Sequence, residues 1–174
     1  MRARKVILAI GRRGSPRKLG VPGEDLPHVT YELTHAEQYT GTRVVVVGGG
    51  DSALEAACQL VEEAGATVTL VHRGEGFRGK EKNVAHVEAL RGARRLEVLL
   101  NSNTSAIREG AFDVVTPAGP RTVQADYVII LVGGELPTAL LNAMGIRFDR
   151  WFGKPPPGTE AVGSVVTLGT GAGA

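Results

Sequence analysis

A single cysteine, Cys58, in 174 residues rules out an internal disulfide. That usage suits a reducing compartment, so a cytoplasmic location is expected. No apolar run approaches the length needed to cross a bilayer. The opening RKVILAIGRRG is too short in its apolar part, and too basic after it, for a signal peptide. No membrane partner is expected. Charge of one sign is scarce as well: 20 Lys and Arg against 18 Asp and Glu give +2, too little to argue for nucleic acid. The basic residues between Arg2 and Lys18 flank the apolar stretch Val6 to Ile10 and read as strand flanks and solvated loop. No histidine stands at metal-ligand spacing from a cysteine or carboxylate, so no metal is expected. Cys58 falls on the apolar side of a helical stretch, which makes it a buried small hydrophobe rather than a nucleophile.

What the chain does have is VVVVGGGDSALEAA, residues 44 to 57. Four valines run into Gly48-Gly49-Gly50, then Asp51-Ser52 and an Ala/Leu-rich segment with Leu54, Ala57, Cys58 and Val61 on one stripe. The pattern is strand, tight turn, helix, with Gly48-x-Gly50-x-x-Ala53 at the turn. Gly48 permits the turn, and Gly50 lets a pyrophosphate approach the backbone without meeting a Cβ. Ala53 lets the helix pack close to the strand, and the helix N-terminus offers free N–H groups to phosphate. A helix over 51–64 stopped by Gly65, then a strand over 67–72, completes a βαβ unit.

Around it the pattern predicts a strand over 5–10, a Gly- and Pro-rich connection, and a short helix near 35–39 opened by a Thr34–Glu37 capping box. EKNVAHVEALRG reads as an amphipathic helix. LEVLL, NTSAIRE, FDVVTP and RTVQAD alternate between turn residues and suggest an antiparallel meander. DYVIILV, 126–132, is apolar throughout, as a central parallel strand requires. It ends at Gly133-Gly134, and Pro137 opens a short helix to about Met144. No element is read after Trp151. The closing VVTLGTGAGA imitates a second glycine fingerprint, but no helix follows Ala174 to carry a phosphate site, so it is read as tail. The fold class expected is α/β, a three-layer Rossmann-like domain with a central parallel sheet and a small antiparallel β-meander.

The end of the second strand speaks to the choice of dinucleotide. An NAD site usually places Asp or Glu there to bond the ribose 2′-hydroxyl. Here the strand ends in Val71-His72-Arg73, with Arg78 following and Glu75 only in the turn. Arginine suits a 2′-phosphate, which a carboxylate would repel, so NADP(H) is favoured over NAD(H).

AIGRRGSPRKLGVPGED, VVVVGGGDSALEAA, VTLVHRGEGFR and IILVGGELPTALL, in this order and spacing, resemble the NADPH-binding domain of the thioredoxin reductase-like, two-dinucleotide-binding flavoproteins. These are the pyridine nucleotide-disulfide oxidoreductases, and the resemblance covers about residues 5–147. It implies that Ala9-Ile10-Gly11 lies on a strand returning from an FAD domain. It also implies that Gly49, Gly50, Asp51, Ser52 and Ala53 line the pyrophosphate. His72, Arg73 and Arg78 would face the adenosine phosphate, and Gly133 and Gly134 would lie beside the cofactor. Two features depart from the family pattern. LPHVTYELTHAEQYTGTR lacks the Cys-x-x-Cys that a thioredoxin reductase relay needs, and the family's His-Arg-Arg is His72-Arg73-Gly74. The chain is thus similar to the dithiol-free branch, which includes ferredoxin–NADP reductase-like and bacillithiol-disulfide-reductase-like members.

No glycine fingerprint for FAD precedes the first strand, and no family-like Gly-Asp segment closes the chain. The expectation is the middle domain of a longer flavoprotein, with the cofactor NADP(H) bound here and FAD held by another domain of the same parent. Residues 1–40 would be linker and returning strand, 41–147 the nucleotide domain, and 148–174 a tail. Hydride would pass to that flavin and onward to an iron–sulfur or small disulfide acceptor, with no catalytic residue in this chain and no turnover by the chain alone. The alternative is a stand-alone NAD(P)-binding or redox-sensing module. An enzyme acting directly on substrate, like a short-chain dehydrogenase, is disfavoured because Tyr31, Tyr39 and Tyr127 each lack a lysine four residues on.

Overall fold

The computed structural model describes residues 16–134 and 142–145, and Pro16–Gly134 forms one compact unit. Its centre is a parallel sheet. Strands β1 (Val29–Thr30), β2 (Arg43–Val47), β3 (Thr67–Val71), β4 (Leu96–Leu99) and β8 (Tyr127–Ile130) lie in the order β1-β8-β2-β3-β4. All four pairings are parallel, with Val45 opposite both Thr69 and Val128. Helix α1 (Asp51–Glu62) crosses from β2 to β3, and α2 (Glu81–Gly92) crosses from β3 to β4. A second sheet of β5 (Asn103–Arg108), β6 (Ala111–Thr116) and β7 (Gly119–Gln124) is an antiparallel meander.

The valine run explains the layering. Alternate residues of a strand face opposite sides, and both sides of this one are buried. Val44 and Val46 pack with Leu54, Ala57 and Leu60 of α1 and Val87 and Leu90 of α2. Val45 and Val47 pack with Ile107, Phe112, Val114 and Val123 of the meander. The protein is therefore helices, parallel sheet and antiparallel sheet in three layers, the expected fold class. Each fully buried Leu or Val side chain contributes about 1.5–3 kcal/mol relative to exposure. At the base of the sheet, the Arg43 guanidinium pairs with Asp126 at 2.5 Å, and the Arg43 N–H donates to the same carboxylate at 2.8 Å. This grip, with the Arg43 side chain first, holds the Asp126 carboxyl down to about 2.

Three expectations change. LEVLL belongs to the parallel sheet, not the meander, because α2 delivers it beside β3 with Leu70 opposite Val98. As an edge strand it is half exposed, and its alternation mimics an antiparallel segment. The connection before residue 40 contains β1, two residues paired to β8. The short helix is a 3-10 turn over Ala36–Tyr39 with His35 at its N-cap and no side-chain cap, so Thr34 and Glu37 form no capping box. Thr40 closes this turn instead, its N–H and hydroxyl both reaching the Glu37 carbonyl. The strand expected at 5–10, the second glycine fingerprint and most of the helix after Pro137 lie outside the described residues.

Candidate functional site

The glycine turn lies at the C-terminal ends of β2 and β3, where open α/β sheets bind ligands. Its three glycines are constrained by different things. A Cβ on Gly48 would stand 2.5 Å from the Leu131 carbonyl oxygen and 2.6 Å from the Ala53 Cβ, so close helix–strand packing requires glycine. A Cβ on Gly49 would run into the His72 imidazole. Gly50 differs from both. Its backbone is extended, at φ −99° and ψ 176°, and a Cβ there would meet no protein atom within 4 Å. Among the described residues, nothing requires glycine at this position.

Gly50 is the N-cap of α1 and supplies no capping side chain. Its carbonyl accepts the N–H groups of Ala53 and Leu54. Among the described residues, the N–H groups of Gly49, Gly50, Asp51 and Ser52 donate to no protein acceptor. Unpaired amides at a helix start, with the positive end of the helix dipole behind them, are a ready anion site. Ser52 is exposed beside them, and Ala53 is fully buried beneath.

The segment after β3 folds back over this turn. Arg78 donates its backbone N–H to the Gly49 carbonyl at 2.8 Å. His72 is half buried, its ring against Gly49 and Gly74 and 5.8 Å from the Phe77 ring. Burial lowers its pKa, a backbone hydrogen bond at Gly76 works the other way, and the Arg78 and Arg73 charges lower it further. Both arginines are exposed, and neither has a carboxylate partner among the described residues. The structure thus gathers Gly48 to Ala53, His72 and Arg78 into one neighbourhood, with Arg73 next to His72 in sequence.

Asp51 takes a different course. Its carboxylate accepts the Lys80 N–H at 2.7 Å and the Asn83 amide at 2.8 Å. The Lys80 N–H is the main cause holding the Asp51 carboxyl below its usual range, against some burial. The sequence offers Lys80 only as a side-chain charge or an exposed helix start, and it does not point to Asn83 or the tightly packed Gly79 at all. The three glycines of HRGEGFRGK were the available signal of close packing. Beyond β8 the chain passes against Gly48 through Leu131, and Gly133 adopts a left-handed φ of +90°. Arg17 donates to the Gly133 carbonyl at 3.0 Å, and Gly134 bridges to Pro16.

Elsewhere Cys58 is buried, and burial pushes its thiol up to about 11, which leaves it unreactive. Among the described residues, no three His, Cys, Asp or Glu side chains gather as metal ligands. Among them too, no helix is long and apolar enough to cross a membrane.

Fold and turn together define an α/β domain of the Rossmann-like class. The chain belongs to the pyridine nucleotide-disulphide oxidoreductase family, whose model matches residues 1–161. It is similar to a ferredoxin–NADP reductase of Ignicoccus hospitalis, 38% identical over 138 residues, covering 76% of this chain and 44% of the relative. It is similar also to the bacilliredoxin reductase Bdr of Bacillus subtilis, 31% identical over 158 residues, covering 86% of this chain and 47% of the relative. Among solved structures, the bacillithiol disulfide reductase Bdr (YpdA) of Staphylococcus aureus superposes with a TM-score of 0.76 at 30% identity. That superposition covers 80% of this chain and 43% of the other. The chain spans less than half the length of these relatives. Its family is one of oxidoreductases that includes NADP-dependent flavoprotein reductases.

Proposed function

We propose that this chain is the NADPH-binding domain of an FAD-dependent, dithiol-free reductase. The observation that carries the reading is Gly50. It is a glycine that packing among the described residues does not require, at a helix start whose amides no group among them fills. The pyrophosphate of a dinucleotide needs that free approach and those donors. When bound, NADPH supplies a hydride to a flavin held by another domain of the parent protein.

This chain's residues bind and orient. The N–H groups of Gly49 to Ser52 would hold the pyrophosphate, with Ala53 keeping α1 close to β2. Arg73 and Arg78 would hold the 2′-phosphate, with His72 beside them, and Gly133 and Gly134 would leave room for the cofactor. No residue of the chain moves a proton in the reaction. Relatives named for ferredoxin and for bacillithiol disulfide support an onward acceptor that is an iron–sulfur protein or a small disulfide.

Calorimetric titration of the chain with NADPH and NADH tests the reading. NADPH binds more tightly, and Arg73→Ala weakens NADPH by about 1.5–3 kcal/mol while leaving NADH unchanged. Equal binding of the two nucleotides, unaffected by Arg73→Ala, would remove the 2′-phosphate assignment.

A further inference from the structure

The Asp51 carboxylate is an odd group to find at a pyrophosphate site. It sits on the first residue of α1, next to Gly50, and stays ionised where a dianionic ligand would be repelled. Its hydrogen bonds run the other way, into the start of α2. Asp51 Oδ1 accepts from the Lys80 N–H at 2.7 Å and from Asn83 Nδ2 at 2.8 Å. Asn83 Nδ2 is also 2.8 Å from Glu55 Oε1, one helical turn further along α1. Gly79 makes this approach possible. A Cβ there would come within 2.6 Å of Leu54 Cδ1 and 3.1 Å of Asp51 Oδ1.

These contacts close one end of a segment whose other fixed point is already known. Arg78 N–H donates to the Gly49 carbonyl at 2.8 Å. Two residues later, Lys80 is tied to Asp51. The arginine is therefore held to the glycine turn at its own N–H by Gly49 and, two residues later, through Lys80 by Asp51. A flexible exposed side chain loses entropy when it binds phosphate, and a fixed backbone lowers that loss.

We infer that Asp51 is a positioning residue for dinucleotide selection: by holding Lys80 and Asn83 it fixes the Arg78-bearing segment at a set distance from the pyrophosphate amides. Its carboxylate does not itself contact the cofactor, whatever the Asp51 N–H does at the pyrophosphate. The inference rests on the NADPH-binding reading above, and it assigns that site's discrimination between NADPH and NADH partly to a carboxylate that touches neither.

The test uses the full chain with Asp51→Ala and Asp51→Asn, folding being checked by circular dichroism. NADPH and NADH affinities are measured by calorimetry, and amide hydrogen exchange is followed at Arg78 and Lys80 without nucleotide. Asp51→Ala is expected to weaken NADPH about tenfold and NADH little, and to speed exchange at Lys80 and Arg78. Asp51→Asn keeps an acceptor oxygen for the Lys80 N–H and retains most of the preference for NADPH. A purely structural role would lower both affinities alike and give no such rescue. With wild type binding NADPH normally, an equal change for both nucleotides, or unaltered exchange at Lys80, overturns the inference alone. Wild type binding neither nucleotide overturns the functional reading, and the selectivity role of Asp51 with it.

Discussion

The turns at 19–24 and 48–52 both carry backbone N–H groups outside regular ladders, and the described residues treat them in opposite ways. In the turn at 19–24 the protein supplies its own anion. The buried Glu24 carboxylate accepts the N–H groups of Leu19 and Gly20, each at 2.7 Å, and the Tyr31 hydroxyl at 3.0 Å. Burial alone would raise the Glu24 carboxyl, but these donors outweigh it and hold it below its ordinary value. In the turn at 48–52 no side chain among the described residues fills that role. The turn's own carboxylate, Asp51, is committed to Lys80 and Asn83. A glycine turn closed by its own carboxylate is architecture. One left open at a helix start, with glycine where packing among the described residues does not demand it, is what the proposed dinucleotide site requires.

Glycine substitutions break this comparison most sharply. Gly23 has φ +82°, and a Cβ there would drive into the backbone of Ile107, whose N–H bonds the Pro22 carbonyl. Gly23→Ala is expected to destabilise the fold by about 3 kcal/mol in urea unfolding, because the turn can no longer dock on β5. Gly50→Val should do the reverse. The midpoint of unfolding stays near wild type, while NADPH affinity falls about 100-fold by calorimetry. A Gly50→Val protein that binds NADPH normally would mean the turn is no more than a tight connection.

Glu24→Gln comes next. It leaves part of the donor cluster facing a weaker acceptor and is expected to lower stability by about 2 kcal/mol, with no loss of NADPH binding by the folded protein. The pH dependence has a definite sign. The folded pKa is depressed below the ordinary 4.5, so the stabilisation is present above that pH and is lost as pH falls through the folded value. Acid unfolding of wild type against Glu24→Gln should show the two curves converging on the acid side. Parallel curves would take Glu24 out of the account.

The same contrast explains what was legible in the chain itself. The βαβ unit was plain because its signals are local: a valine run buried on both sides, glycines at the turn, a helical stripe ended by Gly65. The meander's three strands and β8 were plain for similar reasons of alternation and apolarity. β4 was assigned to the wrong sheet because an exposed edge strand alternates whichever way its neighbour runs. β1 was missed because two residues carry no period. At the site, Gly48, Gly50 and Ala53 follow from spacing alone. The direction taken by Asp51 does not, since it depends on Lys80 and Asn83, about 30 residues away and brought there by the fold. Glu24 stands inside a motif that carries the family resemblance, but its grip on the Leu19 and Gly20 N–H groups is set by the loop's fold and not by the spacing.

The most direct measurement follows backbone amide resonances of the labelled chain by NMR as NADPH is added. The account expects the Gly49, Gly50, Asp51 and Ser52 amides to shift, while those of Leu19 and Gly20, already held by Glu24, stay where they are. NADPH that leaves residues 49–52 unmoved, or that shifts both turns alike, would contradict the claim that the glycine turn is the open one.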